Sequence, residues 1–185
     1  WNCLETRRVF LPPRRCKAGS RRATIKKTGG EVRTMLNTDW SRLDKSTVAV
    51  GQFGEFYAKT VLASYGLDVY GSEVDDHGVD LIVKTKGGRY LEFQVKTVRG
   101  MQYVYMRQAG FSRERETLFL LLQILFDGEL PRQYIIPASV WREPNEVFVA
   151  RDGYEKPEYG VNLSKKNLPA LEPYRTERMI GALRL

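Results

Sequence analysis

The 185-residue sequence predicts an α/β fold, and three observations support this prediction. An amphipathic helical pattern covers residues 48–65. Two short apolar strand patterns then flank a glycine-rich turn between residues 78 and 97, as in a β-hairpin. Further along, the strongly apolar stretch 118–126 is followed by a turn and by a second apolar stretch that can pair with it. One helix followed by several paired strands indicates a sheet that a helix covers.

The positive charge of the chain is concentrated at its N-terminal end. The whole chain has a net charge of +8, and residues 1–34 contain ten Lys and Arg against two acidic residues. The remaining residues therefore carry as many acidic as basic groups. We expect residues 1–34 to be a basic, disordered extension and residues 35–185 to be a single domain, with Met35 at the change in composition. The alternative is that residues 1–34 form a basic arm that binds the phosphates of nucleic acid.

The cysteines and the hydropathy pattern indicate a cytoplasmic protein. Both cysteines, Cys3 and Cys16, lie in the N-terminal stretch. A body without cysteine needs no disulfides and suits a reducing cytoplasm. No stretch approaches the roughly 18 apolar residues that span a bilayer, so no membrane association is expected. The N-terminal stretch also lacks the apolar segment of a signal peptide.

The first helix has clear start and stop signals. Ser46 or Thr47 can cap its N-terminus, and Gly66 can end it in the left-handed conformation. At ~100° per residue its apolar side chains cover one continuous arc, and Glu55 falls about 20° beyond Leu62 at the edge of that arc. A strand is expected at residues 67–70, followed by an acidic loop.

The polar side chains of the hairpin share one face of it. In the strand of residues 90–97, Glu92, Gln94 and Lys96 alternate with apolar residues, so these three lie on one side of the strand. An acid, an amide and an amine in a row are costly to bury without a partner or a task. This face is therefore the candidate functional site.

The length of the hairpin turn decides whether Asp80 joins this face. With a two-residue turn at residues 87–88, Asp80 would lie opposite Val95 and point into the core. With a three-residue loop at residues 86–88 and a left-handed glycine, it would lie opposite Gln94. A role for Asp80 in the site requires the longer loop or an equivalent bulge.

Further elements are expected after the hairpin. Strands are predicted at residues 103–106, 118–126, 133–136 and 147–150. The stretch 118–126 is also long enough to be a buried helix, because periodicity does not separate the two. A short helix is expected after Ser164, interrupted by Pro169 and Pro173. In the acidic loop, His77 is interpreted as a residue that shapes the loop rather than a base or metal ligand, and Asp76 as a turn residue with accessory metal binding as the alternative.

Three segments of the chain resemble the motifs of the PD-(D/E)XK nuclease superfamily. They are Gly51-x-x-Gly54-Glu55 on the helix, Gly78-Val79-Asp80, and Phe93-Gln94-Val95-Lys96-Thr97. The resemblance covers about residues 48–137, with residues 138–185 as a C-terminal extension. It implies a restriction-endonuclease-like core, in which helices flank a mixed central β-sheet and the first helix carries an acidic residue. Holliday-junction resolvases and type II restriction enzymes share this fold.

The resemblance also implies roles for individual residues. Asp80 resembles the metal-bridging aspartate, and Lys96 matches the motif lysine. Gln94 stands where the superfamily usually has Asp or Glu, as in its QxK variant. The carbonyl of Val95 would coordinate the metal, and Glu55 would hold a metal-bound water or a second ion. The candidate catalytic residues are thus Glu55, Asp80, Gln94 and Lys96, and the candidate metal ligands are Asp80, Gln94, Val95 and Glu55.

The function that the resemblance implies is Mg²⁺-dependent hydrolysis of DNA by an endonuclease. An amide oxygen is still a hard ligand, so Gln94 should bind Mg²⁺, although more weakly than a carboxylate, and Mn²⁺ should substitute. Glu92 could support the ion through a water. The expected partner is double-stranded or branched DNA, in restriction, phage defence, repair or junction resolution, and the protein could act as a homodimer.

Two other functions are compatible with the same residues. Because Gln94 replaces an acid, the protein could bind nucleic acid without cleaving it. The polar row could also be the exposed sheet face of a structural or partner-binding protein. Tyr103, Tyr105 and Arg107 could contact a nucleic-acid backbone or stack on bases, but aromatic strand residues more often serve packing, so they stay outside the predicted site.

Overall fold

The computed structural model describes residues 36–43, 46–71 and 78–183. Its α-helices are α1 (Thr47–Ser64) and α2 (Thr176–Leu183). Its strands are β1 (Asp68–Gly71), β2 (Leu81–Lys84), β3 (Tyr90–Arg99), β4 (Tyr103–Arg107), β5 (Leu118–Leu125), β6 (Arg132–Pro137), β7 (Phe148–Arg151) and β8 (Glu158–Asn162). Short 3₁₀ helices cover Trp40–Arg42, Ala138–Arg142 and Leu168–Tyr174.

Five strands form a mixed central sheet in the order β1-β2-β3-β5-β6. Strands β3 and β5 are parallel, and the other neighbours in this sheet are antiparallel. Both α-helices pack against one face, where Ala58 and Leu62 of α1 and Ile180 of α2 join the apolar residues of β3 in one buried cluster. The predicted α/β class, with a mixed sheet and flanking helices, is confirmed.

Helix α1 begins and ends close to the predicted positions. Ser46 is the N-cap, and its Oγ accepts a hydrogen bond from Ala49 N (3.1 Å). Gly66 follows the helix with a φ of +76°, as predicted for a C′ glycine. The buried line of the helix passes through Gly54 and lies on the Leu62 side of the predicted arc. The residues on that line are Val50, Gly54, Ala58 and Leu62.

The hairpin of β2 and β3 has the three-residue loop. Thr85 N donates to Arg89 O (2.8 Å), so these two residues close a loop made of residues 86–88. Gly88 has a φ of +81°, a conformation that side chains with a Cβ rarely adopt. The longer loop that the sequence left open as one of two alternatives is therefore the one that forms.

A second sheet of three strands, in the order β4-β8-β7, covers part of the other face of the central sheet. Its inner residues pack on the apolar side chains of β5 and β6 in a second buried cluster. The inner residues include Val104, Met106, Phe148, Tyr159 and Val161. The sequence predicted β4 and β7 as strands but neither β8 nor this sheet.

The C-terminal elements follow the prediction in outline. The apolar stretch Leu118–Leu125 is a strand, and it pairs with β6 as expected. After Ser164, the two prolines lie in a 3₁₀ helix, Leu168–Tyr174. A regular α-helix begins only at Thr176, because proline lacks the N–H that an α-helix interior needs.

Several predictions fall outside the described residues. They concern the extension of residues 1–34 with its cysteines, and the acidic loop with Asp76 and His77. These stay predictions. Within the described ranges, no helix is both long enough and apolar enough to cross a membrane.

Candidate active site

Asp80 lies directly before β2, where it bonds to the backbone of Phe93 and Val95 in β3. Leu81 pairs with Phe93, and the preceding Asp80 N donates to Phe93 O (2.9 Å). The half-buried Asp80 carboxylate accepts a hydrogen bond through Oδ2 from Val95 N (2.6 Å). In a regular antiparallel ladder a backbone carbonyl would accept this bond. A charge-assisted hydrogen bond therefore fixes the carboxylate beside β3.

The carbonyl of Val95 points to the same end of the hairpin. Glu92 N donates to Thr117 O at the start of β5 (2.8 Å), so even-numbered residues of β3 direct their backbone groups towards β5. Odd-numbered residues direct theirs towards β2. Strand β2 begins at Leu81, which pairs with Phe93, so the ladder ends before Val95. The Val95 carbonyl therefore points to the side of β3 on which the Asp80 carboxylate lies. The two oxygens that the resemblance assigns to a metal thus lie at one end of the hairpin.

Gln94 and Lys96 lie in a cleft of about 560 Å³ between β3 and β4. Both side chains are half-buried, and both are on the face of the central sheet that α1 does not cover. Asp80 and Glu55 do not line this cleft. The lining residues are Thr47, Gly78, Gln94, Lys96, Thr97, Val98, Tyr103, Val104, Tyr105, Arg107 and Gly110.

Gln94 presents a buried oxygen without a hydrogen-bond partner. Its Oε1 is among the buried side-chain atoms of the described residues that have none. On the other side of the amide, Nε2 lies so close to Gly78 that a Cβ at that position would come within 3.0 Å of it. Gly78 also has a φ of +67°, which residues with a Cβ rarely adopt. Glycine is therefore favoured here both by its backbone conformation and by the lack of space for a Cβ. An unsatisfied buried oxygen costs about 1–3 kcal/mol, which a bound cation would offset.

Lys96 offers an amine to the same cleft. No carboxylate oxygen lies within 4.0 Å of Lys96 Nζ in the part of the chain that the structure describes. Within these described ranges, the amine is therefore not neutralised by an ion pair. A lysine in this state can donate to a phosphate oxygen or to a water.

Glu55 lies on the helix that covers the opposite face of the central sheet from Gln94 and Lys96. Helix α1 packs on the face opposite to Gln94 and Lys96, and Glu55 is half-buried on one flank of that helix. Lys59, one turn further along the same flank, approaches the end of β1, because a Cβ at Gly71 would lie 2.8 Å from Lys59 Nζ. The end of β1 lies beside the start of β2. Glu55 is thus on the flank nearer the Asp80 end of the hairpin, and its role stays a prediction.

Glu92 is engaged elsewhere. Its carboxylate forms an ion pair with Arg115, in the loop before β5. Glu92 is on the polar face of β3, as expected from its spacing, but it does not line the cleft. The hypothesis that Glu92 supports a metal ion through a water gains no support from this arrangement.

The oxygens at this end of the hairpin suit a hard divalent cation. In residues 36–43, 46–71 and 78–183, no group of three or more His, Cys, Asp and Glu side chains could hold a metal ion. The candidate ligands are one carboxylate, one amide oxygen and one backbone carbonyl, from Asp80, Gln94 and Val95. Mg²⁺ keeps several of its waters and needs only one or two carboxylates from a protein. The unpartnered Gln94 Oε1 fits such a cation.

The mixed five-stranded sheet, the acidic residue on α1 and the hairpin that brings Asp80 beside β3 are the features that the sequence resemblance implied. The architecture of the central sheet and its helices is therefore the one expected of a restriction-endonuclease-like core.

No protein-family model matches the chain, and no curated protein sequence is similar to it. Among solved structures, the chain is similar to the bacterial homing endonuclease I-Ssp6803I, with 20% sequence identity and a TM-score of 0.49 over 75% of this chain and 91% of that chain. It is also similar to Hjc, a Holliday junction resolvase from the archaeal hyperthermophile Archaeoglobus fulgidus. There the identity is 12% and the TM-score is 0.44, over 65% of this chain and 88% of that chain.

The second sheet adds residues that the predicted site left out. Tyr103, Tyr105 and Arg107 line the cleft together with Lys96. Their alternation along β4 was visible in the sequence, but it did not show that this strand lies beside β3. Glu158, which binds Arg107 across the second sheet, is 51 residues away in the chain and carried no local signal.

Proposed function

We propose that this protein is a divalent-metal-dependent endonuclease that hydrolyses phosphodiester bonds in DNA. The observation that carries the proposal is the register of the β2–β3 hairpin. Leu81 pairs with Phe93, the preceding Asp80 accepts a hydrogen bond from Val95 N, and Gln94 and Lys96 alternate along one face of β3. A fold that served only packing would have no need for an acid, an amide and an amine at these neighbouring positions.

Asp80, Gln94 and the carbonyl of Val95 would hold Mg²⁺, or Mn²⁺ in its place. The bound ion would polarise the scissile phosphate and lower the pKa of an attacking water. Asp80 contributes the negative charge of the site, and its bond to Val95 N keeps that charge in place before substrate arrives. Gln94 contributes an oxygen that is already desolvated.

Lys96 would act on the substrate directly. From its place in the cleft, the amine can orient the attacking water by a hydrogen bond or neutralise charge that develops on the phosphoryl oxygens. We assign Glu55 to a metal-bound water or a second ion, on the basis of its flank of α1. The absence of cysteine from residues 35–185 suits action in a reducing cytoplasm.

The test is cleavage of supercoiled, linear and branched DNA with Mg²⁺ or Mn²⁺. We expect the wild type to cut at least one of these substrates. Lys96→Ala should lower the cleavage rate by about 10²–10³, as expected for loss of one group that stabilises the transition state. DNA affinity measured with Ca²⁺ should change only a few-fold. The preferred substrate separates junction resolution from restriction or repair.

Lys84→Ala is the matched control for this test. Lys84 is on the same face of the central sheet, on β2, but does not line the cleft. Removing it takes away the same charge, so it should leave the cleavage rate within a few-fold of wild type. Equal cleavage by Lys96→Ala and wild type would contradict the proposed mechanism.

The second candidate is a nucleic-acid-binding protein of this fold without catalysis. The observation that favours it is that Gln94 is a neutral amide at the position where the superfamily usually has Asp or Glu. DNA binding by the wild type without cleavage in any of the three substrates, with either metal, would support this candidate over the enzyme. Neither binding nor cleavage would leave a structural or partner-binding role.

A further inference from the structure

The second sheet has an outer face that is not part of the core. Val104 and Met106 of β4 point into the buried cluster, so the alternate residues Tyr103, Tyr105 and Arg107 point away from it. We call this side of β4, β8 and β7 the outer face. Three of its residues, Tyr103, Tyr105 and Arg107, also line the cleft that contains Gln94 and Lys96. The outer face therefore continues the candidate active site.

A row of charged residues crosses the outer face. Glu158 of β8 pairs with Arg107 of β4 on one side and with Arg151 of β7 on the other. Arg107 Nη1 donates to Glu158 Oε2 (3.1 Å), and Arg151 Nη1 donates to Glu158 Oε1 (3.2 Å). One carboxylate thus holds two guanidinium groups, and the row has a net charge of +1.

The exposure of the three side chains is unequal. Glu158 is 7% exposed, whereas Arg107 is 46% and Arg151 is 36% exposed. Within the described residues, Nε and Nη2 of both arginines make no hydrogen bond. The carboxylate is therefore covered by the arginines, and each guanidinium keeps donors for a ligand from solvent. Guanidinium groups match phosphate oxygens in planar, two-pronged geometry.

Tyr103 contacts both Glu158 and Arg151 of this row. Its hydroxyl donates to Glu158 Oε1 (3.2 Å), and the Arg151 guanidinium lies 4.2 Å from the centre of its ring. The ring can lie flat on the sheet because β8 has Gly160 beneath it, where a Cβ would come within 2.1 Å of the Tyr103 hydroxyl oxygen. Burial, together with the negative charge of Glu158, raises the pKa of Tyr103 to about 12, so the hydroxyl stays a donor.

We infer that Arg107 and Arg151 form a phosphate-binding pair for the DNA strand in the cleft, and that buried Glu158 is the residue that positions them. This inference rests on the proposed function, since it assigns a second phosphate contact of the same substrate. Glu158 does not touch the substrate. It fixes two long side chains, so that less conformational entropy is lost when a phosphate binds.

The first experiment measures the salt dependence of binding to a labelled DNA duplex, with Ca²⁺ in place of Mg²⁺. Each phosphate contact contributes about 0.9 to the slope of log K against log salt concentration. We expect Arg107→Ala and Arg151→Ala each to lower the slope by about that amount, and the double variant by roughly twice as much. Arg132→Ala is the control, because Arg132 has a similar exposure of 32%, binds Glu129 and is outside the cleft. Unchanged slopes in both Arg107→Ala and Arg151→Ala would overturn the inference.

The second experiment tests Glu158 as a positioning residue. Glu158→Gln removes a negative charge, so net charge alone would tighten DNA binding. Loss of positioning predicts the opposite, a several-fold weaker affinity. The same substitution should have no further effect when Arg107 and Arg151 are both alanine, because the three residues act as one unit. Tighter binding by Glu158→Gln, or an additional loss in the triple variant, would overturn the positioning role.

Two further readouts keep these tests interpretable. Arg107→Lys and Arg151→Lys keep the charge but lose the planar fork, so we expect the wild-type salt slope with a several-fold lower affinity. Thermal unfolding of each variant identifies any that fails to fold, in which case the lysine variants decide the question. If both lysine variants keep the salt slope and also the DNA affinity of the wild type, the inference is overturned.

Failure of this inference is distinguishable from failure of the proposed function. If the wild type binds and cleaves DNA while the arginine variants keep its salt slope, only the phosphate pair is wrong. If the wild type does not bind DNA at all, both proposals are wrong.

Discussion

At the scale of single residues, Gln94 is where this site differs most from a site with two carboxylates. Asp80 is the partner across the hairpin, and its oxygen is already bound to Val95 N. Gln94 Oε1 has no such bond and is buried, so it gains the most from a cation. A neutral ligand attracts Mg²⁺ less strongly than a carboxylate does. The charge of the side chain at position 94 should therefore determine the Mg²⁺ concentration at which the site is occupied.

We predict that Gln94→Glu binds Mg²⁺ at least about ten-fold more tightly, because a second negative charge lies next to the ion. The measurement is the rise in Tm as Mg²⁺ is added, since an ion that binds only the folded state stabilises it. Gln94→Leu is the companion variant. It should lose the Mg²⁺-dependent rise but be no less stable than wild type without metal, because the unsatisfied oxygen is gone. A full Mg²⁺ response in Gln94→Leu would exclude this residue as a ligand.

At the scale of elements, the contact between α1 and β3 positions the first helix. A Cβ at Gly54 would lie 1.7 Å from Thr97 Oγ1 and 2.8 Å from Thr97 Cβ, so the helix backbone rests directly on the strand. Gln123 of β5 reaches the same point, where its Nε2 donates to Gly54 O (2.7 Å). Threonine is branched at Cβ and cannot swing aside. Gly54 therefore sets the distance between the helix that carries Glu55 and the strand that carries Gln94.

We predict that Gly54→Ala lowers the free energy of unfolding by about 1–3 kcal/mol, because the added methyl group overpacks this contact. Gly51→Ala is the matched control on the same helix. Nothing lies within 4 Å of a Cβ at position 51, so alanine there should raise stability by up to about 1 kcal/mol through its higher helix propensity. Urea unfolding measures both variants. Equal effects of the two substitutions would contradict the close contact at Gly54.

At the scale of the whole molecule, packing buries phenol groups in several parts of the fold. Burial is the largest cause that raises the pKa of five tyrosines above the ordinary value of 10.0: Tyr57, Tyr103, Tyr134, Tyr159 and Tyr174. A phenol with a raised pKa in the folded state keeps its proton longer there than in the unfolded chain. Its stabilising contribution is complete below pH 10 and is lost as the pH rises through the folded-state pKa.

We predict that the free energy of unfolding falls as the pH rises from 10 to about 12, where the pKa of Tyr103 lies. The measurement is the urea midpoint across this range. Tyr103→Phe should make the fall shallower, because one of the groups that causes it is removed. Tyr70→Phe, at a tyrosine that is 50% exposed, is the control and should follow the wild-type profile. A profile without any fall above pH 10 would contradict the prediction.

Much of the fold and part of the site could be predicted from local patterns. The capping serine, the helical period and the glycine at the end of α1 lie within one helix and act over a few residues. The alternation of Glu92, Gln94 and Lys96 along β3 placed them on one face, because strand geometry alone determines that. Both possible hairpin loops satisfied the glycine pattern, so the sequence left the place of Asp80 open.

The rest depended on contacts between distant parts of the chain. The register that brings Asp80 to the backbone of β3 follows from packing Leu81 and Phe93 into the same buried cluster. The row of Arg107, Glu158 and Arg151 exists only because three short strands meet in a second sheet. Each of these strands is too short for its sequence to indicate which strand it pairs with. Their pairing is favoured by the apolar surface that they bury on β5 and β6. Burial of that surface is a property of the assembled chain, so no local pattern could reveal it.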